Sequence, residues 1–195
     1  MTIAFALANG VSRQGLDLAW LHHYGSIYGC NALYKDYEPD VLVATDAPIS
    51  GRIQDSGYSQ RKTFYTRRCY PNSGARQIPK KYYGNSSGPV AAALAAIDGH
   101  TQIYLLGYDL GPTTDNKFNN VYAGTEFYKA RGTPPTFTGN WIKQITTVIS
   151  DFPTVRWIRV YGETTMKHAE LDRLSNLEHL EMSLFLARIN KQKDC

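Results

Sequence analysis

Cysteine is scarce in this chain. Its three residues, Cys30, Cys69 and Cys195, are widely spaced and form no CxxC pair. That argues against a disulfide framework or a cysteine zinc site and fits reduced thiols in a cytoplasmic setting. Long hydrophobic runs are also missing. No stretch approaches the roughly 18–20 apolar residues that span a bilayer, so no membrane span is expected. The opening "MTIAFALANG" has no basic residue ahead of its apolar run and reads as a first strand, not a leader. Two phosphate-binding signatures are absent too: the GxxxxGK[ST] loop and the GxGxxG dinucleotide fingerprint. Finally, no acidic residue lies between Ser56 and Ile97.

That last gap has a counterpart. Arg61, Lys62, Arg67, Arg68, Arg76, Lys80 and Lys81 fall within it, a third of the chain's 21 lysines and arginines, beside Tyr58, Tyr65, Tyr70, Tyr82 and Tyr83. A segment of one sign creates a field that draws phosphates or carboxylates, although the same run also reads as a solvated basic loop. The remaining composition is ordinary for a globular protein, with 43% hydrophobic and 19% charged residues. At 195 residues the chain is long enough for one substantial core.

Strand-length apolar runs alternate with helical patterns. Thr2–Ala8, Gly25–Asn31, Asp40–Asp46, Arg61–Cys69, Thr101–Asp109 and Thr154–Gly162 read as strands. A helix is expected after the first strand, with Ser12 as N-cap and Leu16, Ala19, Trp20 and His23 at helical spacing. An alanine-rich helix runs from about Pro89 to Asp98, closed by Gly99, and another covers "GNWIKQITTVISDF". This alternation predicts an α/β fold: a doubly wound, mostly parallel, Rossmann-like sheet in one domain over 1–162. Residues 163–195 read as a C-terminal extension of one or two amphipathic helices. Ser175 and Glu178 have capping-box spacing, Arg188, Lys191 and Lys193 suit a helix C-terminus, and Leu171, Leu174, Leu177, Leu180 and Leu184 form an apolar stripe. That stripe would pack on the sheet or on a second copy of the chain.

Ligands of open α/β sheets bind outside the carboxyl ends of the strands. Small or polar residues follow five of the expected strands: Asn9-Gly10, Asn31, Asp46, Arg67-Arg68 and Gly107-Tyr108-Asp109. Each has an ordinary reading as a turn or cap; together they point to one crevice. Ser86, Ser87 and Gly88 enter it ahead of the alanine-rich helix, whose free N–H groups suit a phosphate or carboxylate. Arg67, Arg68 and Lys81 are candidates to neutralise that phosphate.

The stretches "ALANGVS", "GCNALY", "NSSGPVAAALAAIDGHTQIYLLGYDL" and "NNVYAG" resemble the bacterial sialyltransferases of the Campylobacter type and their relatives with a pterin-diphosphokinase-like Rossmann domain. The resemblance covers roughly residues 3–162. It implies a cytidine nucleotide-sugar donor held by Asn9, Gly10, Asn31, Ser86, Ser87, Gly88 and Gly107–Asp109, with Asp46 at the position after the third strand. It also implies a leaving phosphate supported by Tyr122. The family's histidine base has no counterpart in "GTPPTFTGNW", so Asp109 or Asp46 is the candidate base.

Three functions follow as expectations. The first is a nucleotide-sugar-dependent glycosyltransferase acting on an acceptor hydroxyl. The second is a phosphoryl or pyrophosphoryl transferase on the same scaffold, with Mg²⁺ held by Asp46 and Asp109. The third is a non-catalytic module binding single-stranded nucleic acid through the basic, tyrosine-rich segment from Arg61.

Overall fold

Valine, isoleucine and leucine runs become strands that are buried on both faces, as parallel sheets require. A computed structural model describes residues 2–191. The expected roles of Lys193 at a helix end and Cys195 as a thiol lie outside the described residues. Eight strands occur among them: β1 Ile3–Leu7, β2 Ser26–Cys30, β3 Val41–Ala44, β4 Thr63–Thr66, β5 Arg76–Gln77, β6 Gln102–Leu106, β7 Arg156–Tyr161 and β8 Leu177–Glu181. All neighbouring pairs are parallel, in the order β5-β4-β3-β2-β1-β6-β7-β8. The direction of winding reverses between β1 and β6, and that reversal opens the crevice.

Helices cover both faces, so the fold is a doubly wound, Rossmann-like α/β sheet. On one face lie α4 (Ser87–Ile97), α5 (Gly139–Asp151) and α6 (Ala169–Asp172); on the other lie α1 (Leu18–His22), α2 (Ala47–Asp55), α3 (Tyr58–Arg61) and α7 (Met182–Lys191). The pleat of β1 divides its side chains between them. Ala4 and Ala6 face α4, while Phe5 and Leu7 pack with the aromatic side of Tyr104 and Phe185. Small residues therefore meet small residues where α4 crosses the sheet. Ala91, Ala92, Ala93 and Ala95 are all fully buried, which accounts for the alanine content of this helix.

The structure corrects several expectations. Ser12 is not a helix cap: Val11–Arg13 forms a 3-10 turn, Gly15 takes a left-handed φ of 81°, and α1 begins only at Leu18. Its N-cap is Asp17, whose carboxylate accepts the Trp20 N–H at 2.9 Å. The segment after Asp46, read as a turn, is the nine-residue α2 with Pro48 in its first turn, where a missing N–H costs nothing. The largest difference is at the C-terminus. Leu177–Glu181 is a strand pairing with β7, so the sheet continues past residue 162 and the extension is not wholly helical. Leu177 and Leu180 fall on opposite faces of this strand, one against each core cluster. The leucines form no single stripe. The amphipathic helix that remains, α7, buries Phe185 and Ile189 on the sheet and leaves Leu184 exposed.

Candidate functional site

The loops after β1 and β6 leave the sheet in opposite directions and enclose a cavity of about 280 Å³. Asn9 and Gly10 form its β1 wall, and Gly107–Gly111 its β6 wall. The two loops touch so closely that Gly10 has no room for a side chain. A Cβ there would lie 2.6 Å from the Gly107 carbonyl oxygen and 2.7 Å from Asp109 Oδ2. Gly10 N–H donates to that same Gly107 carbonyl at 2.9 Å. The far wall is built by Asn31 after β2, Asp46 after β3, and Ser86–Gly88 at the entrance to α4.

Asp109 is the knot of the site. It is 2% exposed, and its carboxylate accepts from five donors. Ser12 N–H reaches Oδ2 at 3.0 Å, Asn119 Nδ2 at 3.0 Å and Thr164 Oγ1 at 2.6 Å, while Thr165 Oγ1 reaches Oδ1 at 3.2 Å and the Ser12 hydroxyl also donates to Oδ1. Five donors, three on Oδ2 and two on Oδ1, more than fill the roughly four lone-pair sites that a carboxylate offers. Three loops, those after β1, β6 and β7, are thereby tied to one charge. Beneath it Arg159, 1% exposed, donates to the carbonyls of Tyr108 (2.7 and 2.9 Å), Asp109 (3.1 Å) and Met166 (2.9 Å). Burial lowers the Arg159 pKa to about 10, against the opposing pull of the Asp109 charge. These bonds hold Leu110 at φ 53°, a left-handed conformation that a bulky residue adopts only under constraint. His168 completes the clamp: its Nε2–H donates to the Leu110 carbonyl at 2.8 Å.

A second hub joins the other wall. Ser87 Oγ donates to Asn31 Oδ1 at 2.8 Å and accepts the Thr45 N–H at 3.0 Å. It therefore fixes the ends of β2 and β3 against the start of α4, with Asn31 itself at φ 53°. No side chain caps α4. Its first residues, Ser87–Pro89, line the cavity together with Asn9, Asn119, Asn120 and Trp141, and Pro89 contributes no N–H. Among the described residues no lysine, arginine or histidine lines this cavity. Besides Arg159, a second buried cation stands behind the wall: Arg13, 8% exposed, lies behind Asn9 and donates to Ala8 O at 2.5 Å, and to Asn9 Oδ1 and the Tyr122 hydroxyl, both at 3.3 Å. Cys30 Sγ also points at Asn9 Oδ1, 3.8 Å away, and burial pushes its thiol up to about 12. It is therefore a packed thiol, not a nucleophile.

Nine of the thirteen residues expected from sequence line this cavity: Asn9, Gly10, Asn31, Asp46, Ser86, Ser87, Gly88, Gly107 and Asp109. Four do not. Tyr122 is buried away from it, its hydroxyl against Arg13, and burial raises its pKa to about 12. Arg67 donates to the carbonyls of Tyr83, Gly84 and Asn85, which shapes the approach to α4 from outside. Lys81 pairs with Asp151 at 2.8 Å, and Arg68 is exposed at the sheet edge.

Sequence reasoning missed Asn119, Asn120, Trp141 and Arg159. The first two stand in the same "NNVYAG" stretch that singled out Tyr122, and the aromatic signal outweighed the amides. An arginine inside the apolar run "WIRV" was the available signal for Arg159, since a cation in a central strand must serve buried acceptors. Compared with protein-family models, curated proteins and solved structures, the chain matches none.

Proposed function

We propose that the crevice binds a nucleotide-sugar and that the protein is a sialyltransferase-like glycosyltransferase. One observation carries this reading. The uncapped N-terminus of an eleven-residue helix opens into a crevice at the switch point, amid neutral amides and with no cationic side chain on its wall. The helix dipole and free N–H groups suit one phosphate, and the asparagines suit the hydroxyls of a sugar and ribose.

In this reading Asp46 is the general base. Its side chain is exposed, lines the crevice and caps no N–H of α2, whereas Asp109 is buried and fully occupied. The acceptor hydroxyl gives its proton to the Asp46 carboxylate as its oxygen forms the bond to the anomeric carbon. The bond from that carbon to the phosphate oxygen breaks, and the nucleotide leaves with the electron pair. The side-chain N–H groups of Asn120, whose Oδ1 alone is engaged, and the first N–H groups of α4 receive the phosphate. The saturation of Asp109 disfavours the alternative in which it shares Mg²⁺ with Asp46. The nucleic-acid alternative is weakened because much of its charge is engaged: Arg61 and Lys62 share Glu38, Arg67 serves carbonyls, Lys81 pairs with Asp151 and Arg76 lies over the Tyr65 ring. Among the described residues this leaves Arg68 and Lys80 as its exposed cations without such a partner.

A thermal-shift panel of CMP, CDP, UDP, GDP and ATP, with and without Mg²⁺, tests the reading. A nucleotide at one hundred times its Kd adds about 2.7 kcal/mol, or roughly 5–10 °C for a domain of this size. The expected result is stabilisation by CMP without metal, lost in Ser86→Trp, which fills the crevice from a partly exposed position. Stabilisation only by ATP with Mg²⁺, or by no nucleotide, overturns it.

A further inference from the structure

Between β6 and α5 the chain runs as a strap without regular helix or strand, and part of it crosses to the other half of the sheet. Val121 N–H donates to the Asn9 carbonyl at 2.8 Å, and the Tyr128 hydroxyl accepts from Asn9 Nδ2 at 3.3 Å. Further out, Glu126 is held by Arg52 at 2.7 Å and Lys35 at 3.5 Å. The same two cations lie 6.0 and 5.4 Å from the Phe127 ring centre. Beneath the strap is a second chamber of about 370 Å³. It shares two residues, Asn31 and Asp46, with the switch-point crevice. Asp46 therefore stands on a wall common to two chambers.

The chemistry of the second chamber is lopsided. Asn31 and Asp46 offer amide and carboxylate groups on one side, while Pro48, Ile49, Phe127 and Tyr128 supply an apolar and aromatic wall. Its ionised lining groups are Asp46 and Glu126, and no lysine or arginine lines it among the described residues. Glu126 is paired from outside by both Arg52 and Lys35, a group of three that leaves one net positive charge at the outer rim. An anionic ligand at the inner end of the chamber would meet the Asp46 carboxylate, while both cations are held on Glu126 at the outer rim. A ring carrying hydroxyls on its edge and C–H groups on its face matches both walls.

We infer that this chamber is a second substrate subsite, for a neutral hydroxylated ring of monosaccharide size, which presents a hydroxyl to Asp46 from the side opposite the crevice. This rests on the transferase reading, and it adds where the acceptor lies and that it is uncharged at the ring. The volume is within the range of small-molecule sites.

Saturation-transfer NMR on the full chain tests it with methyl β-galactopyranoside as the neutral probe and methyl β-glucuronide as the anionic one. The neutral glycoside is expected to receive saturation and the glucuronide at least fivefold less. Pro48→Trp, an exposed first-turn position that fills the chamber, is expected to reduce the neutral signal at least fivefold. Phe127→Ala, which removes the aromatic wall, is expected to weaken it likewise. The nucleotide-induced midpoint shift, read on the same samples, should survive both substitutions. An equal or stronger glucuronide signal, no signal from either probe, or a neutral signal unchanged in both variants overturns the inference. A glycoside signal that responds to Pro48→Trp while no nucleotide binds would leave the chamber standing and remove the nucleotide reading. CMP binding without a chamber-dependent glycoside signal would do the reverse.

Discussion

Asp109 and Asp46 bring the same carboxyl group to one crevice and meet opposite surroundings. Asp109 is sealed among five donors, so its charge is spent on holding three loops together. In Asp109→Asn one oxygen becomes an NH₂ group facing other donors, and the remaining bonds lose their charge assistance. The expected cost is about 3 kcal/mol or more, a fall of roughly 6–12 °C in Tm. Asp46→Asn alters an exposed side chain and should move stability by no more than about 0.5 kcal/mol. Under the proposed mechanism it should still reduce turnover about a hundredfold or more. Thermal melts of the two variants, with turnover measured on the stable one, separate the scaffold carboxylate from the chemical one. The sequence could not do so, because both stand at strand ends and only the donors converging from Ser12, Asn119, Thr164 and Thr165 distinguish them.

Among the elements, the strap behaves differently from the sheet it covers. Its outer anchors are exposed charges, with side-chain exposures of 41% for Lys35, 43% for Glu126 and 56% for Arg52. Such pairs contribute about 0.2–1 kcal/mol each and weaken with salt. Glu126→Gln, which weakens two such pairs, should therefore lower global stability by no more than about 2 kcal/mol. Amide exchange around residues 121–128 should accelerate severalfold, and high salt should reproduce this in the parent; exchange unchanged in both would mean that the inner anchors on Asn9 hold the strap alone. Element by element, legibility followed burial. β1, β3 and β6 are continuous apolar runs between turn residues, and α4 is bracketed by Pro89 and Gly99, so all four were readable. β8 was not. "LEHLE" carries helix-forming leucine and glutamate at helical spacing, and only the free edge of β7 makes it a strand. Tertiary pairing overrode local preference there. α2 was hidden by Asp-Ala-Pro, a sequence that serves a turn and a helix start equally well.

For the whole molecule, stability against pH joins groups that lie far apart. His100, at the amino end of the sheet, has a pKa lowered first by burial. The Tyr28 hydroxyl gives its proton to Asp98 at 2.7 Å, so His100 Nε2–H must donate to the Tyr28 oxygen at 3.2 Å. That tautomer leaves Nδ1 buried and without a partner, and a proton added there would have no acceptor. His179 on β8 is likewise lowered, first by burial and then by the Arg159 charge; Asp172 at 3.3 Å pulls the other way but is more than half exposed. For both groups the unfolded chain, near the ordinary histidine value of about 6.5, binds protons more readily than the folded one. Stability should therefore be fully present above that value and fall as pH drops through it towards the depressed folded values. Melts from pH 8 to pH 5 should show a declining midpoint, and His100→Asn should flatten part of that slope, because its side chain titrates in neither state. An unchanged slope in this variant would mean that the buried imidazole already accepts its proton in the folded protein.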